Sequence, residues 1–276
     1  MPEDWRDVRR RDAPSSSTLD DLLREAAALQ RPDERLLRRW AATARAVIVR
    51  DPSGGPIRPI QGGFRRHHSG YVSSSKVGRA IDWESPLERT VIAYCEVDPG
   101  VVWYMSQPHR LEIRTSVPAL VYVPDVERRL ADGSHEVLEV KSRKDRRWLR
   151  DPRYGAKVAR AAEIYDRLGW RFAIVSEDEI EARPDLRRIE RILSSRHVAV
   201  PEMPLLRLRR SLETHRNGIP LAEALSLFGD GPRAERILDA LTIRRIATRT
   251  PFAGPGDARV RAVRADEPAI GLGVTP

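Results

Sequence analysis

Residues 123–144 read VPDVERRLADGSHEVLEVKSRK. Asp132-Gly133 is a hairpin-turn signal, and HEVLEVK (135–141) beyond it reads as a strand. Side chains two apart on a strand share a face. Glu139 and Lys141 therefore project together, while Leu138 and Val140 face the other way. If the preceding run ALVYVPD (119–125) lies beside this strand, the hairpin brings Asp125 next to Glu139. Two such carboxylates form a hard-oxygen pair suited to Mg²⁺ or Mn²⁺, which acidifies a bound water and polarises a phosphoryl oxygen. A lysine alongside stabilises the charge that develops on phosphorus-bound oxygens. The competing interpretation is a solvated strand face, with Asp125 a turn residue after Pro124; E-V-K alone is a short and common tripeptide.

Working outward, SPLERTVIAYCEVDP (85–99) predicts a helix with Ser85 as N-cap, Pro86 at its first position and Glu88 three residues after the cap. Leu87, Val91, Ile92 and Cys95 supply its buried face. Glu88 has two readings, a capping-box partner or a helix-borne metal carboxylate. VVWYMS, HRLEIRT and ALVYVP then read as successive strands. A helix from about Pro152 to Leu168, closed by Gly169, precedes the strand WRFAIV. The order predicts an α/β fold, a mixed sheet with helices packed on it.

At the N-terminal end, residues 1–17 are charged and Ser-rich and are expected to be disordered. TLDDLLREAAALQ and PDERLLRRWAATARAVIV predict two helices before residue 50, opening a catalytic domain that spans 18–200. Phe64 to Arg79 reads as a basic loop or irregular hairpin; His67 and His68 lack a matching ligand cluster and read as a surface pair. Residues 205–250 predict three small helices and a strand, compatible with a winged-helix-like C-terminal domain or another helix-turn-helix module. The Gly- and Pro-rich remainder, 251–276, is expected to be a disordered tail.

The 276 residues carry 49 Lys and Arg against 40 Asp and Glu, a net charge of +9 that favours a polyanionic partner. The excess is local: nine Lys or Arg against two Asp between Lys141 and Arg160. Arg143, Lys144, Arg147 and Lys157 within it, with Arg79 upstream, are the candidate DNA-backbone contacts. Cys95 is the only cysteine, which excludes an internal disulfide framework and fits a reducing cytoplasm. No apolar run approaches the ~18 residues that span a bilayer, so no membrane partner is expected.

The Pro-Asp, then Glu-Val-Lys pattern resembles the PD-(D/E)XK nucleases of restriction-endonuclease fold. SSSKVGRAIDWESPLE, MSQPHRLEI, YVPD, LEVK and LGWRFAIVSEDEI, within residues 62–182, narrow the resemblance to the TnsA-like endonucleases of heteromeric transposons. It implies a restriction-endonuclease-like sheet flanked by helices. It also implies Glu88, Asp125 and Glu139 as metal ligands for Mg²⁺ or Mn²⁺, and Lys141 as the catalytic lysine. The best-known TnsA-like pattern has glutamine where Glu139 stands. Gln107, in the family-like Gln-Pro pair, either shapes the site or packs. The activity implied is metal-dependent cleavage of double-stranded DNA, nicking 5′ ends of a transposon while a DDE-family transposase cuts and joins the 3′ ends, with an AAA+ ATPase as a possible regulator. The alternatives are a stand-alone restriction- or repair-type nuclease and a catalytically inactive DNA-binding adaptor. The mixed charge of the C-terminal helices suits a protein-docking role better than DNA reading.

Overall fold

The computed structural model describes residues 46–58, 69–114, 120–143, 152–250 and 258–275. Its centre is a four-stranded mixed sheet in the order β4 (Val101–Ser106), β7 (Val126–Leu130), β8 (His135–Lys141) and β9 (Arg171–Ser176). β7 is antiparallel to both neighbours, β4 and β8. β8 and β9 run parallel, which requires a crossover, supplied by helix α2 (Pro152–Arg167). Gly169, at φ 71°, provides the left-handed turn out of that helix.

Strand alternation divides the core between the two faces. Leu138, Ala173 and Val175 pack with Val91, Ile92 and Cys95 of helix α1 (Pro86–Val97). Val137 and Phe172 pack with Val158, Ala161 and Ile164 of α2. Leu111, Ile113 and Tyr122 extend this second cluster from a three-stranded sheet of β1 (Ala46–Val49), β5 (Arg110–Ile113) and β6 (Leu120–Tyr122). A hairpin of β2 (Gly70–Ser74) and β3 (Arg79–Trp83) adds Val72 and Ile81 to the α1 side.

Short helices α3 (Glu177–Ala182) and α4 (Leu186–Leu193) lead into the C-terminal region. There α5 (Glu202–Thr214), β10 (Ile219–Pro220), α6 (Leu221–Ser226), α7 (Gly231–Ile243), β11 (Ala247–Arg249) and β12 (Arg259–Ala262) surround their own core of Leu208, Leu212, Ile237, Leu241 and Val260. β12 pairs with both β10 and β11. α7 packs against α4 and α1, and its residues from Ile237 to Ile243 are all buried. Among the described residues, no helix is long and apolar enough to cross a membrane.

Three sequence expectations need correction. AVIV at 46–49 ends no helix but forms β1, paired with β5, as its β-branched Val47, Ile48 and Val49 favour. The partner of β8 is not the ALVYVPD run, whose Leu120–Tyr122 pairs with β5, but VERRL, whose charged residues find internal partners. The tail is not disordered over 258–275. After β12, Ile270 N donates to Asp98 Oδ2 at 2.6 Å, Leu272 is fully buried, and Val274 exchanges two backbone bonds with Ile174 on the edge strand β9. Gly273, at φ 70°, passes so close to Ile174 that a Cβ would meet its carbonyl oxygen at 2.8 Å. The expected N-terminal segments before residue 46, and Phe64, His67 and His68, lie outside the described residues.

Candidate active site

Glu139 and Lys141 share the α2 face of β8, as period-two alternation requires, and both are buried. Lys141 Nζ donates to Glu139 Oε1 at 2.6 Å and contacts the Tyr154 hydroxyl at 2.7 Å. The Tyr154 and Tyr122 hydroxyls donate to Glu139 as well, one to each carboxylate oxygen. Burial alone would lower the Lys141 pKa, but the charge and hydrogen bond of Glu139 outweigh it and hold the ammonium protonated.

Asp125 stands one residue before β7, whose Val126 faces Leu138, so the register sets Asp125 beside Glu139. Its Oδ2 accepts from Val140 N at 2.7 Å and its carbonyl from Gln107 N at 2.8 Å. It keeps some solvent contact yet is densely ringed by protein. Loss of hydration, and then the charges of Glu139 and Glu88, push its carboxyl well above the ordinary range, against the opposing pull of Lys141 and Val140 N.

Glu88 completes the cap of α1: Glu88 N donates to Ser85 Oγ at 3.1 Å, and Glu88 Oε2 accepts from Glu84 N at 2.9 Å. The sequence left a cap and a metal carboxylate open; the hydrogen bonds are those of a cap. Glu88 still belongs electrostatically to the cluster, because burial and then the charges of Glu84 and Glu139 raise its pKa over the lowering effect of its hydrogen bonds.

Among the described residues, no three His, Cys, Asp or Glu side chains gather into a ready-made cation cage. Mg²⁺ does not demand one, since it keeps several waters and takes one or two carboxylates plus substrate phosphates. Asp125 and Glu139 fit that pattern: the donors are hard oxygens, and the raised Asp125 carboxyl marks an excess of negative charge that a dication neutralises.

Of the predicted backbone contacts, Lys157 places Nζ 5.0 Å from the centre of the Tyr154 ring, on the rim of the cluster. The Arg143 guanidinium is engaged by Asp178 and Glu181. Arg79 reaches Ser53 O at 3.4 Å, on the β2–β3 hairpin. Lys144 and Arg147 lie outside the described residues. Sequence reasoning missed Tyr122 and Tyr154, whose only signal is a tyrosine two residues before Pro124 and another within the basic run. No family model matches the chain, and no curated protein matches it significantly.

Proposed function

We propose that this protein is a metal-dependent DNA endonuclease of restriction-endonuclease-like fold. The observation that carries the reading is the convergence of Asp125 and Glu139 from adjacent strands, with Lys141 on the same face as Glu139. A dication held by Asp125 and Glu139 would polarise the phosphoryl oxygen and acidify a water. Tyr122 and Tyr154 fix the Glu139 carboxylate. Lys141 carries a positive charge into the site, where it stabilises the extra negative charge of the phosphorane-like transition state. The basic run after β8 supplies sequence-independent attraction for the DNA backbone.

Within that class we propose the TnsA-like role: nicking the 5′ ends of a transposon beside a DDE-family transposase, under an AAA+ regulator. The helix and strand order of the C-terminal region supports a winged-helix-like module. Its α7 is buried against α4 and α1 rather than free to enter a DNA groove, which supports a protein-docking role. The test is a nicking assay on DNA carrying the element's ends, in Mg²⁺ or Mn²⁺, with and without the cognate transposase. Metal-dependent 5′-strand nicks that require the partner are expected. Partner-independent cutting at internal sites would favour a stand-alone nuclease, and absence of any cleavage would reject the enzyme.

A further inference from the structure

Arg58 joins the β4–β5 turn, whose Gln107 holds Asp125, to the turn before α1 that carries Glu84 and Glu88. Its Nε donates to Gln107 Oε1 at 3.1 Å and its Nη2 to Glu84 Oε2 at 3.2 Å. Gln107 N in turn holds the Asp125 carbonyl at 2.8 Å, and Glu84 N holds Glu88 Oε2 at 2.9 Å. Gln107 is buried and keeps φ 43°, a left-handed conformation uncommon outside glycine. Such strain persists only where the surroundings over-determine it. Here they do, since its N–H, its side-chain oxygen and its carbonyl, which accepts from Ile57 N at 2.8 Å, are all bonded.

DNA approaching Glu84, Glu88, Asp125 and Glu139 meets four carboxylates. Lys141, bonded to this cluster, has a side chain only 9% exposed and engaged by Glu139 and Tyr154. Arg58, also bonded to it, is 62% exposed. A guanidinium presents a planar fork of donors that fits phosphate oxygens, which a lysine does not. Resting on the nuclease reading, we propose that Arg58 is a phosphate clamp beside the cleavage site. Gln107 positions it, and Glu84 holds its outer N–H until a backbone phosphate of DNA takes that place.

The test measures binding of a duplex in EDTA across a salt series, then cleavage in Mg²⁺. Arg58→Ala should reduce the slope of log K against log salt by about 0.9, one phosphate contact. Arg58→Lys should keep the slope but lose most of the cleavage rate, because the fork to Gln107 and phosphate is gone. Glu84→Gln should tighten DNA binding several-fold, and that gain should vanish in the Arg58→Ala background. An unchanged slope in Arg58→Ala, or a Glu84→Gln gain of equal size with and without Arg58, overturns the clamp alone. A wild-type protein that binds no DNA overturns both the clamp and the reading beneath it.

Discussion

Asp125 and Glu127 stand two residues apart on one side of the β7 run, and their surroundings act on them in opposite directions. Asp125 faces Glu139 and Glu88, and its carboxyl is pushed well above the ordinary range by lost hydration and like charge. Glu127 is more deeply buried, and burial alone would raise it too. Instead the imidazoles of His109 and His135 and the Arg50 guanidinium outweigh burial and hold it far below that range. Arg50 Nη2 reaches both its oxygens, at 3.0 and 2.8 Å, and His109 bridges it at 3.0 Å to the Tyr165 hydroxyl at 2.7 Å. Donors matched to a buried charge make it part of the framework. A buried charge crowded by its own kind is held against its preference, the usual condition of a functional site.

The largest expected effect separates the two in activity. Asp125→Ala and Lys141→Ala should each lower the cleavage rate by about 10³-fold or more while the cooperative urea transition remains. Cleavage near the wild-type rate in either variant would remove the catalytic half of the comparison.

Stability should show the reverse order. Glu127→Ala leaves Arg50 and His109 without their buried partner and should cost about 3–5 kcal/mol. Asp125→Asn relieves repulsion and should be neutral or stabilising in metal-free buffer. Equal losses from the two changes, in urea midpoints at constant m, would break the contrast.

Lys76 extends the idea to a cation. It is half-buried, donates to the Cys95 carbonyl at 2.8 Å and to that of Asp98 at the C-terminal end of α1. Burial lowers its pKa from 10.5 to about 8, against the raising charges of Asp98 and Glu96. Below about pH 8 the burial penalty is fully present. Between about 8 and 10.5 the unfolded chain binds a proton that the folded chain does not, so this group makes stability rise with pH. The stability difference between wild type and Lys76→Met should therefore shift in favour of wild type by ~1–3 kcal/mol across that window. A flat difference would show that Lys76 titrates as it does in the unfolded chain.

The smallest effect concerns Glu88. Glutamine can replace it in the cap, so Glu88→Gln should change stability by less than about 1 kcal/mol. A metal-binding role predicts a large loss of cleavage; a cap alone predicts near-normal cleavage.

Local rules made much of this legible. Alternation put Glu139 with Lys141, and S-P-L-E marked the start of α1 with its cap. β7 was hidden because VERRL lacks the apolar alternation of a half-buried strand; Glu127 and Arg128 are both buried, and their partners include Arg50 and Ile270, far along the chain. Asp125 still reached Glu139, since β7 replaced the expected partner without changing the turn at Asp132-Gly133. Tyr154 could not be assigned because its contact depends on how the crossover helix lands on β8. The ordered tail escaped notice because its hold comes from Arg171, Arg128, Asp98 and Glu179 rather than from its own composition.

If the crowding of Asp125 and Glu139 marks a metal site, those carboxylates take a dication and the matched Glu127 does not. Calorimetric titration of Mn²⁺ into the full-length protein, its Asp125→Asn variant and its Glu127→Gln variant tests it most directly. Saturable binding to wild type, none to Asp125→Asn, and wild-type affinity in whatever fraction of Glu127→Gln remains folded are expected. Binding that survives Asp125→Asn unchanged would contradict it.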